Sequence, residues 1–472
     1  SASSDEIPWV QTAYLIAEVV MIPLSGFLAR ALSTRVLFLS AAIGFTAASV
    51  LCATATSIDQ MIIYRALQGF IGGGMIPSVF AVAFSVFPPS KRNIVSPMIG
   101  LIATLAPTIG PTVGGYLSDA YSWHWLFLVN VVPGILVAIG VYFLVDFDKP
   151  DYSLLDRFDY VGLIAMALML GSLEYVLEEG PRYDWLDDQT IATFAVVGVF
   201  GAVVFFWRAF TADEPIVELR AFRDRNFAFG SFFSFTMGIG LYGLTYLYPI
   251  FLAQVRGYDA LMIGETMFVT GIVMFLTAPI SGRLASLLDA RVMMLIGFCG
   301  FAVGTYITTN ITSDWDFYEL LLPQFLRGAS LMMCMVPINN LSLGTLPKEQ
   351  LKNASGLFNL TRNLGGAFGL AMINTILNKR LDLHLERLHE SVSWGHAVAE
   401  SQLASMQQSM SQIMPDGDLA ALKQLAMLVR NQANVLSFAD VFLVLTLLFA
   451  TAGIFTLMMH KPSTLPAGAG GH

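Results

Sequence analysis

Charge is what this sequence has least of. Of its 472 residues only 12% are Asp, Glu, Lys or Arg, about half the share a soluble domain carries. Those few charges are clumped, which leaves many uncharged runs of about 18 residues or more, each long enough to cross a bilayer as a helix. A soluble enzyme and a disordered chain are thereby excluded. A basic surplus is missing as well: 25 Lys and Arg against 34 Asp and Glu give a net charge of −9, which excludes a nucleic-acid binder. Cysteine is scarce, and Cys52, Cys299 and Cys334 all fall inside apolar runs, so no disulfide framework or metal site is readable. The chain has no Gly-x-x-x-x-Gly-Lys-Ser/Thr loop with which to drive work on its own ATP, and no catalytic constellation or cofactor motif. Gly238-Ile-Gly-Leu-Tyr-Gly243 fits a dinucleotide fingerprint by spelling alone, since no strand precedes it.

Apolar residues make up 56% of the chain. They predict thirteen membrane spans, at 8–30, 36–56, 59–83, 93–117, 123–145, 159–178, 189–211, 226–253, 261–285, 291–312, 316–345, 353–378 and 437–459. Cytoplasmic loops retain Lys and Arg. One set of breaks, with the C-terminal tail, holds fifteen of them, including Arg30, Arg35, Lys91, Arg92, Lys149, Arg157, Arg220, Arg223, Lys348 and Lys352. The short loops of the other set hold only Arg182 and Arg256. This places the C-terminus at His472 in the cytoplasm and Ser1 outside. Trp9, Trp123, Trp125, Trp185 and Trp315 then all mark outer helix ends, as an aromatic belt does.

The chain also repeats itself. Pro23-Leu-Ser-Gly-Phe-Leu-Ala-Arg…Arg35-Val36 recurs as Pro279-Ile-Ser-Gly-Arg-Leu-Ala-Ser…Arg291-Val292, and Arg65-Ala-Leu-Gln-Gly69 faces Gln324-Phe-Leu-Arg-Gly328. The two offsets agree within three residues, which predicts two homologous halves with the pair of spans at 159–211 as an insert between them. The second half has six helices and the first has five, so a first helix is expected upstream of Ser1. The expected units are 1–150, 151–225 and 226–472, the last with a long outer loop at 379–436.

Several motifs carry a family resemblance. Gly26-Phe-Leu-Ala-Arg30-Ala-Leu-Ser-Thr-Arg35 resembles the loop motif of the major facilitator superfamily, with Arg30 where an Asp is usual. Arg65-Ala-Leu-Gln68-Gly69 resembles its fourth-helix motif, and Gly110-Pro111-Thr-Val-Gly114-Gly115 the fifth-helix motif of drug:proton antiporters. With the insert and the long outer loop, the chain resembles the fourteen-span, EmrB-type multidrug exporters of Gram-negative inner membranes. The resemblance implies an all-α major facilitator fold, two six-helix halves plus a two-helix insert with 13 of 14 spans present. It implies proton-coupled efflux (antiport) of hydrophobic or amphipathic drugs, from the cytoplasm or inner leaflet of the lipid bilayer across the inner membrane, and a periplasmic adaptor leading to an outer-membrane channel. An exporter of a single metabolite, and a non-transporting scaffold or sensor, are the alternatives.

The residues supply physical reasons of their own. Gly69/Gly73 and Gly110/Gly114 are small-xxx-small pairs that let helices approach. Pro107 and Pro111 are expected to bend their helix. Arg65, Arg327 and Arg362 lie inside spans, where each charge costs about 2.5–3.5 kcal/mol on insertion scales. Glu18 sits about 13 Å deep, near the midplane, and is expected to carry the proton with Arg65 as partner. Gln68, Gly69, Gly110, Pro111, Gly114, Gly115, Arg327 and Arg362 are the candidate cavity or gating residues. Glu174 is expected to be an interfacial carboxylate. In the outer loop, Leu403, Met406, Met410 and Ile413, then Leu422, Leu425 and Val429, predict amphipathic helices that need an apolar partner, either a separate protein or the outer face of this one, on which they would form a lid.

Overall fold

Helices begin where a capping side chain precedes an apolar run. Ser33, Ser57, Asp159, Asp188, Asp224, Asp259 and Asp289 each accept a hydrogen bond from a first-turn amide, and Asp316 with Glu319 forms a reciprocal capping box. The structure, a computed structural model, describes residues 8–88, 91–146, 148–392, 397–412 and 416–458. Ser1, Ser90, Ile413, Pro415 and His472 lie outside the described residues, as do the side chains of Pro107 and Pro111.

The first half comprises α1 (Trp9–Leu32), α2 (Thr34–Ala53), α3 (Ile58–Gly72), α4 (Met75–Val86), α5 (Arg92–Ala120), α6 (Trp125–Leu128) and α7 (Val131–Leu144). A single turn, α8 (Ser153–Asp156), leads to the insert, α9 (Tyr160–Glu179) and α10 (Gln189–Thr211). The second half contains α11 (Arg225–Gly238), α12 (Leu244–Phe251), α13 (Ala260–Leu287), α14 (Ala290–Thr308), α15 (Phe317–Gly344), α16 (Leu351–Ser391), α17 (Ala397–Ser411) and α18 (Gly417–Thr456). Eleven helices among the described residues are long and apolar enough to cross a membrane. They account for eleven of the thirteen expected spans, and the other two fall in α5 and the first part of α16.

The repeat is visible in the packing. In the first half α3 lies between α1 and α2, and α2 packs on α7; in the second, α15 lies between α13 and α14, and α14 packs on α18. The halves meet along two seams related in the same way, α1 against α16 and α5 against α13. Both are sealed by glycine. A Cβ on Gly26 would stand 2.9 Å from the Asn353 Cα, and one on Gly264 2.6 Å from the Thr112 Cα. The insert packs on α1 and α16, beside the first seam.

Three details differ from the sequence expectation. Span 59–83 is interrupted between α3 and α4, at the Gly72-Gly73-Gly74 run where helix propensity is lowest. Span 226–253 is wound more widely, as π-turns, at Ile239–Gly243 and Leu252–Arg256. The segment 379–436, expected to be a long outer loop, is among its described residues largely a continuation of the spans: α16 runs for 41 residues and α18 for 40, roughly 60 Å each against a hydrocarbon core of about 30 Å. There α17 packs back on α18, and Leu403, Leu422, Leu425 and Val429 line one cavity of ≈ 190 Å³ with His389 and Val392. The amphipathic faces predicted for this region therefore cover one another in part: Val429 is buried, whereas Leu422, with Leu419, Met427 and Leu428, stays exposed.

Candidate substrate and proton site

Glu18 owes its position to two glycines. A Cβ on Gly69 would fall on the Tyr14 carbonyl, and one on Gly73 would stand 2.8 Å from the Glu18 carbonyl, so α3 and its continuation lie directly on two successive turns of α1. The Glu18 side chain then points into a cavity of ≈ 20 Å³, room for about one water. Gly73, Ile76 and Pro77 form the near wall; Tyr242, Asn359, Arg362 and Asn363 of the second half form the far one. The Glu18 carboxylate of one half thus shares this small cavity with a cation, a phenol and two amides of the other.

Arg65 does not complete an ion pair with Glu18. Its Nε donates to the Val10 carbonyl at 3.2 Å, and one Nη donates to Gln68 Oε1 at 2.6 Å. Its guanidinium lies 4.2 Å from the Tyr14 ring centroid and 5.8 Å from that of Phe127. Gln68 in turn donates to Ser49 Oγ at 2.7 Å, so Arg65 and Gln68 tie α3 to α1 and α2.

The two other intramembrane arginines are buried. Arg362 donates to Asn339 Oδ1 at 3.3 Å and lies over the rings of Phe80 (5.4 Å) and Phe358 (5.1 Å). Phe80 belongs to the first half, so this guanidinium bridges the halves. Arg327 donates to Thr245 Oγ1 and the Leu241 carbonyl beside Tyr248. Both keep an unpartnered Nε among the described residues. Glu174, expected at the interface, is buried within the protein, because α9 packs on α1.

The fifth-helix motif divides in two. Gly115 sits 3.0 Å, measured from an ideal Cβ, from Ala260 across the α5–α13 seam, and Gly114 is 3.6 Å from Leu126. Gly110 has nothing within 4 Å, so close packing, expected for the Gly110/Gly114 pair, is not its role. Helix α5 is unbroken across 107–111. The glycines of the false dinucleotide fingerprint are packing residues: Gly238 against the Arg362 carbonyl, Gly240 against Phe449, Gly243 against Ile373.

The Lys- and Arg-rich ends of α1, α16 and the 145–152 connection are latched together. Lys352 Nζ donates to the Ala29 carbonyl at 3.0 Å and to Asp148 Oδ2 at 2.6 Å. Asp148 also receives the Thr34 amide and hydroxyl, at 2.8 and 2.7 Å. Burial pushes the Asp148 carboxyl up, but the hydrogen bonds from Lys352 and Thr34 outweigh it and hold it below the usual carboxylate range. Arg30 pairs with Glu218, whose backbone exchanges hydrogen bonds with the Asn353 side chain at 2.7 and 3.2 Å. Where the loop motif carries Arg30 in place of its usual acid, the carboxylates of Asp148 and Glu218 reach the same corner. Arg35 donates to the Tyr142 carbonyl, and Gly26 is part of the seam itself.

The family model described as Major Facilitator Superfamily matches residues 1–370. The chain belongs to the major facilitator superfamily. This facilitator is 39% identical to the Colistin resistance protein EmrB of Acinetobacter baumannii over 98% of its own length and 90% of the relative's. It is 31% identical to the Multidrug export protein EmrB of Escherichia coli K12, over 98% and 89%, and 29% identical to the Fatty acid resistance protein FarB of Neisseria gonorrhoeae, over 100% and 91%. These full-length matches place it among EmrB-type members. The crystal structure of the human organic anion transporter MFSD10 (TETRAN) shares the fold, with a TM-score of 0.60 at 14% identity, covering 94% of this chain and 83% of that one. The facilitator is thus a multi-pass membrane protein with a transporter fold.

Sequence reasoning missed Tyr242, Asn363, Tyr14, Asp148 and Glu218. Asn359-Leu-Thr-Arg362-Asn363 did signal a polar face in an apolar helix, but Tyr242 gave no signal, since only the π-wound turn aims it at the gap.

Proposed function

We propose that this protein exports hydrophobic or amphipathic drugs from the cytoplasm or inner leaflet of a bacterial inner membrane in exchange for protons. The family membership and the EmrB relatives support efflux. The observation that carries coupling is Glu18 facing Arg362 and Tyr242 across the gap between the halves. A carboxylate there keeps its proton while the gap is closed and dry, and releases it when an arriving drug opens the gap to water and the Arg362 cation, so occupancy and protonation exclude each other. The latched, basic face is cytoplasmic by the charge asymmetry of the loops. The extended helices α16–α18 are then periplasmic, and their exposed Leu419, Met427 and Leu428 offer a surface for an adaptor that leads to an outer-membrane channel.

The test is Glu18→Gln in proteoliposomes. It keeps volume and hydrogen bonding, so drug binding persists while efflux driven by a pH gradient falls to background. Drug-dependent proton movement at the wild-type rate in Glu18→Gln would remove the proton from this residue.

A further inference from the structure

A second cavity among the described residues lies away from the gap between the halves. A groove of ≈ 1350 Å³ lies between the insert and the α1–α16 seam. Its walls are Met166 and Met169 of α9, Phe205 and Phe210 of α10, and Leu357 and Leu364 of α16. Along α16 the lining runs from Lys352 to Leu364, about 18 Å at 1.5 Å per residue, close to one leaflet of a core about 30 Å thick. The connection from α10 to α11 forms its rim, where Arg220, Arg223 and Lys348 stand beside Asp213, Glu214 and Glu349. None of these six forms an ion pair among the described residues, whereas Arg30 and Glu218 on the same rim pair with each other.

The seam, α1 and α16 side by side, separates this groove from the Glu18 cavity by the thickness of one helix. Pro23 faces the groove and Ile22 the cavity; Leu360 and Thr361 face the groove, Asn359 and Arg362 the cavity. An apolar groove at membrane depth takes up chains rather than water, and a rim carrying unpaired charges of both signs favours a head group that carries both.

We propose that this groove is a binding site for a zwitterionic phospholipid of the cytoplasmic leaflet, its chain along the Met and Phe wall, its phosphate toward Arg220, Arg223 and Lys348, and its ammonium toward Asp213, Glu214 and Glu349. The choice of leaflet rests on the orientation proposed above; the site itself does not depend on transport.

Lysophosphatidylethanolamine carrying a diazirine in its chain, photolysed with the intact protein in liposomes, should label Met166, Met169 and Phe205 above Ile164 and Val203, which face outward. Ala209→Trp, and independently Leu360→Trp from the opposite wall, should cut groove labelling about five-fold by filling the space. Val203→Trp should not, and persistent outer labelling in every variant reports an intact fold. Unlabelled phosphatidylethanolamine should displace the probe better than phosphatidylglycerol. Equal labelling of groove and outer residues, or insensitivity to both Trp variants, overturns the site, and equal displacement by the two lipids overturns the head-group assignment. Since labelling needs no pH gradient and no drug, loss of the efflux reading would leave it untouched.

Discussion

At Gly69 and Gly73 the absence of a side chain sets the geometry of Glu18, because the backbone of α1 occupies the place where a Cβ would go. Backbone cannot rotate aside as a side-chain tip can. Gly69→Ala and Gly73→Ala should each cost about 1–3 kcal/mol by overpacking, read as a lower unfolding temperature in detergent, and should reduce efflux by displacing α1. Gly110→Ala, with open space around it, should stay within about 0.5 kcal/mol of the parent; a large loss there would refute the division of the motif. Arg65 poses a different question. Its fork holds Val10 and Gln68 at once while lying flat on Tyr14, and a lysine ammonium is a point charge on a flexible stem. Arg65→Lys should therefore lower drug efflux about ten-fold despite the retained charge, and transport at the parental rate would assign Arg65 a charge-only role.

The latch works at the level of elements, since it ties the C-terminal end of α1, the N-terminal end of α16 and the connection that leads to the insert. Asp148 holds two of these together, and its carboxyl stays below the ordinary value once the Lys352 and Thr34 hydrogen bonds have outweighed burial. A group depressed in this way contributes stability that is fully present above its free value and is lost only as pH falls through the depressed one. The distance between spin labels on Tyr152 and Glu349 should therefore stay constant from pH 8 to pH 6 and lengthen in Asp148→Asn at any pH in that range. Opening of the unmodified latch between pH 8 and pH 6 would contradict the assignment.

For the molecule as a whole, the repeat means that each seam has a counterpart, and the insert is the element that breaks the equivalence by covering only the α1–α16 side. Orientation is the property on which the functional reading depends. In a cysteine-free background, cysteines at Asp184 and Ser391 should react with an impermeant maleimide in intact cells, while one at Arg220 should not. Reaction at Arg220 from outside would invert the whole scheme. If α16–α18 dock an adaptor, a photo-crosslinker at Met427 should capture a second polypeptide in native membranes, whereas exclusively intramolecular products would make the unit a self-contained cap.

The positions of most spans, the two halves, the insert and the family motifs were legible in the sequence, because a bilayer forces apolar runs of one length into helices and a duplicated plan leaves matching Pro, Gly and Arg at one offset. Glu18 and the three intramembrane arginines were legible for the same reason, since a charge within an apolar run is conspicuous. Their partners were not. Arg65 turns to Gln68 and Tyr14, Glu18 faces Arg362 and Tyr242 from more than two hundred residues away, and Glu174 is buried by the insert's packing; pairings of that kind follow from how helices rotate about their axes, which apolar residues on every face leave unspecified. The extension of α16 and α18 beyond the membrane was hidden likewise, as hydropathy ends where lipid ends while the helix continues. Which residues cross the membrane is a matter of transfer energy and can be read along the chain; which of them meet depends on close packing between distant segments, and only the tertiary structure decides it.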